Sequence, residues 1–73
     1  MTRYIANQNP NSPGGEHEVH KDNGTCTRLP LFQNRIALGD FQRCSDALNE
    51  ARRRFPGKQF DGCYYCSNEC HTK

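Results

Sequence analysis

At 73 residues the chain is one domain, and a chain this short buries too small a fraction of its surface for a hydrophobic core alone to hold it firmly. With 33% apolar residues in short separated runs and no Trp, it excludes a large enclosed active site and an apolar stretch able to span a membrane. Ten Lys and Arg against eight Asp and Glu neither demand nor exclude a polyanionic partner, and five cysteines point to a staple other than the core.

The first segment, "MTRYIANQNPNSPGGEHE", has no apolar run behind a positive start and is not read as a secretory signal, so the chain is expected to be cytosolic. Five is an odd number of cysteines, and a reducing compartment does not maintain disulfides. The thiolates are therefore expected to serve as zinc ligands. "RYIAN", Arg3 to Asn7, reads as a strand, and "NPNSPGG" breaks it; residues 8–15 are expected as a flexible loop. Glu16 to His20 reads as a second strand pairing back on the first. Alternation puts His17 and Val19 on one face and Glu18 and His20 on the other.

"KDNGTCTRLP" is a turn in which Asn23-Gly24 supplies positive backbone angles, holding Cys26 on a short loop. "RIALGDF" predicts a third strand from Arg35 to Leu38 that ends at Gly39. In "CSDALNEARRRF", Ala47, Leu48, Ala51 and Phe55 fall at helical spacing. Cys44 or Ser45 is placed to cap the helix, Asp46 complements the dipole in the first turn, and Pro56-Gly57 closes it. "GKQFDG" is expected as a connecting loop and residues 71–73 as a tail. The whole is predicted to be an α+β domain: a three-stranded antiparallel sheet with one packed helix, stapled by zinc.

Zinc is held tetrahedrally by four Cys or His side chains, and a CxxC turn brings two sulfurs to one point, as Cys63-Tyr64-Tyr65-Cys66 can. His20 and Cys26, joined by the Asn-Gly turn, are the natural second pair. A metal joining them to the carboxyl-terminal pair closes a loop over most of the chain and constrains the unfolded state most. Other ligands stay open: His17 in place of His20, and Cys70 with His71 completing a wholly local site with Cys63 and Cys66. Cys44 is most simply a small buried hydrophobe; its sharper reading is a low-pKa thiol or half of a bond to Cys70 under oxidation.

A strand with a His, a turn with a Cys, a strand, the approach to a helix and a terminal CxxC together resemble the amino-terminal zinc module of Ada-type DNA repair proteins. The matching residues are Cys26, Phe41, Ala47, Cys63 and Cys66, over roughly residues 17–66, with His20 where that module has its first cysteine. "HEVH", "LP", "LGDF", "DGCYYC" and "CHT" also resemble a family of short uncharacterised bacterial proteins. The Ada resemblance implies a zinc-stapled fold and, in that module, methyl transfer from a DNA phosphotriester to the zinc-activated cysteine. An imidazole cannot be that acceptor, and five residues rather than three separate His20 from Cys26.

"HEVH" is not the HExxH of zinc proteases, because its histidines are three apart in a predicted strand, and no complete catalytic set is read. The expected role is a structural-zinc module acting as a binding or accessory protein. The alternative is weak nucleic-acid binding, with Arg52, Arg53 and Lys58 meeting phosphates and Tyr64 stacking on a base. Against it, Arg52, Arg53 and Arg54 fan around the helix, and basic side chains at a helix carboxyl end also simply complement the dipole.

Overall fold

The computed structural model describes residues 1–10, 14–24 and 26–72; residues 11–13 of the expected flexible loop and Lys73 of the expected tail lie outside them. In chain order the elements are β1 (Thr2–Asn7), β2 (His17–Lys21), β3 (Arg35–Phe41), α1 (Cys44–Arg54) and β4 (Phe60–Gly62), with 3-10 turns at Phe32–Asn34 and Asn68–Cys70. Among the described residues, no helix is long and apolar enough to cross a membrane.

The sheet is four-stranded and mixed, in the order β3-β1-β2-β4, and not three-stranded and antiparallel. β1 runs antiparallel to both β2 and β3, whereas β4 joins the far edge parallel to β2, with His17 opposite Phe60 and Val19 opposite Gly62. The sequence reading missed β4 because three residues, "FDG", carry no measurable alternation. Parallel strands need a crossover, and α1 supplies it: it leaves β3 at one edge and returns the chain to β4 at the other, packing on all four strands.

Register sorts the side chains into two faces. Tyr4, Ala6, Val19, Leu38 and Phe60 form the core under Ala47, Leu48 and Ala51 of α1, and the three core alanines, fully buried, let helix and sheet approach closely. On the opposite face Ile5 pairs with His20, so that face must be closed by something other than the helix. β3 continues past Gly39 to Phe41. The β1 register shifts between Tyr4 and Ile5, and Gly39 takes φ +117° at this bulge, where the expected strand end instead becomes a bend.

The helix also differs at its start. Arg43 is the N-cap residue and makes no side-chain cap bond, so neither Cys44 nor Ser45 caps it; Cys44 is the first helical residue and forms a disulfide with Cys70. At the other end Arg54 donates to the carbonyls of Ala37 (2.8 Å) and Leu38 (3.1 Å), pinning the helix terminus to β3.

Candidate metal centre

His20 lies near the end of β2 on the face away from the helix and has no solvent exposure. The chain then turns through Gly24, whose φ of +85° suits glycine, and brings back Cys26. Pairing of β4 with β2 carries the third residue in: the Cys63 N–H donates to Val19 O at 2.9 Å, directly beside His20. Ser67 N–H donates to Cys63 O at 2.8 Å, closing the knuckle, and Cys66 Sγ accepts from Lys21 N–H at 3.3 Å. Backbone bonds of the sheet edge thus aim two sulfurs at one imidazole.

The ligand atoms of His20, Cys26, Cys63 and Cys66 all lie within 4.8 Å of one another. His20 Nδ1 is 3.5 Å from Cys26 Sγ and 3.8 Å from Cys66 Sγ. A tetrahedral zinc with ordinary bond lengths has ligand-to-ligand edges of about 3.6 to 3.8 Å. The residues therefore fit such an ion in donor chemistry and in spacing. His20 presents Nδ1 to the sulfurs, while its buried Nε2 makes no hydrogen bond and lies 3.8 Å from Glu18 Oε1. The Glu18 carboxylate thus stands near the ring on the same face of β2, too far for a hydrogen bond to Nε2.

Electrostatics agree with a site built for a cation. Burial lowers the His20 pKa below its ordinary value, favouring the neutral ring a metal requires. Burial raises the Cys63 thiol and, with a hydrogen bond from the Cys66 S–H to Cys26 adding to it, pushes Cys66 up to about 12. Without a positive ion at the centre these two sulfurs hold their protons.

The alternative ligands lie elsewhere. His17 faces the helix side, donates from Nδ1 to Asn7 O at 3.0 Å and packs its ring 5.4 Å from that of Phe60. Cys70 is bonded to Cys44, and His71 donates from Nδ1 to Gly62 O at 2.8 Å with Asp61 Oδ2 at 3.3 Å. The wholly local site of Cys63, Cys66, Cys70 and His71 is therefore not assembled. His71 and Thr72, expected as tail, are tied down, since Thr72 donates through both N–H and hydroxyl to Asp61 Oδ1. The odd cysteine count resolves into three sulfurs at the cluster and one disulfide, the pairing that sequence reasoning left as a minor reading.

The basic helix end does not offer three matching cations. Arg53 and Arg54 both clamp Glu50, at 2.8 and 2.6 Å, and hold its carboxyl down to about 2. Arg52 and Lys58 line a cleft of about 480 Å³ together with Glu16 and Phe60. Tyr64 stands on the knuckle, 59% exposed, edge-on to Tyr65 and to His71. Sequence reasoning missed Arg28, which lies 4.3 Å over the Tyr65 ring and links the Cys26 loop to the knuckle. The chain matches no family model, no curated protein and no solved structure.

Proposed function

We propose that His20, Cys26, Cys63 and Cys66 hold one structural Zn2+ and that the domain acts as a small binding or accessory module. The observation that carries this reading is the convergence of four donors from three separated segments on the sheet face that the helix leaves uncovered. Four protein donors around one point leave no open position for a substrate or water, the arrangement of structural zinc sites as opposed to catalytic ones. When bound, the ion supplies charge neutralisation for the thiolates. The chain's own residues do the rest: Glu18 places a negative charge near His20, Lys21 N–H stabilises Cys66, and the Gly24 turn returns Cys26.

The Ada-like resemblance of the sequence is in keeping with a metal here and does not extend to methyl transfer, because the place of its acceptor cysteine is taken by the imidazole of His20. Substitution with Co2+ tests the reading: a tetrahedral site with three thiolates gives intense visible d–d bands and a near-ultraviolet sulfur-to-metal band. A pale octahedral spectrum sinks it.

A further inference from the structure

Cys44 and Cys70 stand outside the metal cluster, and their sulfurs are bonded although the residues are 26 apart in sequence. Cys44 opens the 11-residue helix, and Cys70 ends the 3-10 turn that follows the knuckle, four residues after Cys66. The segment from Cys63 to Cys70 is therefore fastened twice. Its first half faces the cluster, and its last residue packs into the helix-side core. Backbone bonds join the halves: Ser67 N–H to Cys63 O at 2.8 Å and Cys70 N–H to Ser67 O at 3.1 Å. Gly62 leaves the turn room to lie flat, since a Cβ there would sit 2.5 Å from Cys70 Sγ and 2.6 Å from Ser67 O.

We propose that Cys44 and Cys70 form a reversible dithiol–disulfide couple whose redox state sets how tightly the neighbouring site of one histidine and three cysteines holds its metal. The inference rests on the zinc reading above. A closed disulfide holds the turn on the helix and so reduces the chain entropy that metal binding must remove from the knuckle; a bound metal does the same for disulfide closure. Coupling of this kind is reciprocal: the factor by which oxidation tightens the metal equals the factor by which the metal favours the disulfide.

The exchange partner is a small thiol. A cleft of about 260 Å³, lined by Gln42, Arg43, Cys44, Ser45 and Glu69, opens beside Cys44, and Cys70 is the more exposed partner, 8% against 1% for Cys44. The incoming thiolate attacks Cys70 Sγ and forms a mixed disulfide. The protein S–S bond breaks and its electron pair leaves on Cys44. A second thiolate attacks the small-molecule sulfur of the mixed disulfide and releases Cys70. The two protons of the thiols end on Cys44 and Cys70, so one protein disulfide and two small thiols become two protein thiols and one small disulfide. Oxidation by the small disulfide is the reverse.

The test measures zinc affinity of the full chain by competition with a chromophoric chelator, in the disulfide state and after reduction by a phosphine, with Cys44 and Cys70 checked by alkylation and peptide mapping. Reduction is expected to weaken zinc about tenfold or more. A Cys44→Ser, Cys70→Ser double variant should show the reduced-state affinity under both conditions. Because that variant can misfold, a second arm uses the unsubstituted chain: the glutathione ratio that half-reduces Cys44–Cys70 is compared with and without zinc, and the equilibrium should shift by the same factor. One zinc bound with equal affinity in both states, or a pair that stays reduced in oxidising buffer, overturns the coupling and leaves the zinc reading standing. No zinc in either state overturns the zinc reading and the coupling with it.

Discussion

His17 and His20 lie three residues apart on β2 and send their rings to opposite faces of the sheet, one to Asn7 O and one to the cysteine cluster. Substituting each by Ala is expected to give different losses. His20→Ala removes a donor and should lower zinc affinity by more than about a hundredfold, since metal and fold are coupled. His17→Ala should keep one zinc per chain and cost about 1 to 3 kcal/mol of stability through a lost buried hydrogen bond and ring contact. Equal loss of zinc in both variants would contradict the assignment of His20.

Glu18 stands behind His20, with Oε1 3.8 Å from Nε2, near enough to act by charge and too far for a hydrogen bond. Glu18→Gln should retain one zinc and weaken it only about two- to threefold, through loss of a negative charge 3.8 Å from the ring without a hydrogen bond. Chelator competition reads this directly. An unchanged affinity would show that the Glu18 charge does not reach the metal.

Gly62 is the point where β4 meets the final turn, and a Cβ there would clash with the backbone oxygen of Ser67 and with Cys70 Sγ. Neither neighbour is a flexible side-chain end, so Gly62→Ala should destabilise the fold by about 1 to 3 kcal/mol. Gly57, with open space around its Cβ position, is the control: Gly57→Ala should leave the denaturation midpoint nearly unchanged. A Gly62→Ala midpoint as high as the control's would contradict the close packing of turn on strand.

Zinc binding should strengthen steeply with pH. Cys63 and Cys66 have thiols raised above their ordinary value, Cys66 to about 12, so at neutral pH the metal-free chain holds both protons and must release them on binding. Burial lowers the His20 pKa, so its proton opposes binding less than that of an ordinary imidazole. Release of the protons of Cys63 and Cys66 alone means that apparent affinity rises at least about a hundredfold from pH 6 to pH 7. A flat profile would mean that the thiolates exist before the metal arrives.

Much of the site is legible in short-range pattern. The alternation of "HEVH" separates His17 from His20, Asn23-Gly24 marks the turn to Cys26, and the CxxC spacing marks the knuckle, because each rests on backbone geometry over a few residues. What is not legible depends on partners distant in sequence. β4 is too short to show a period and exists because Phe60 finishes the core beside His17. The Cys44–Cys70 bond depends on a helix start meeting the last turn, 26 residues on. The strand end expected at Gly39 turns into a bulge because β1 supplies partners as far as Phe41. Charge pairing is another such case: the sequence shows the arginines fanning around the helix, but that Glu50 pairs with Arg53 and Arg54 is visible only in the structure.

The central claim is one structural zinc held by His20, Cys26, Cys63 and Cys66, and its most direct test is metal content with chelator unfolding. Protein purified without added metal is analysed for zinc and then titrated with a strong chelator while secondary structure is followed by circular dichroism. One zinc per chain, with loss of structure in step with its removal, is the expected result. A zinc-free chain whose fold is indifferent to the chelator would contradict it.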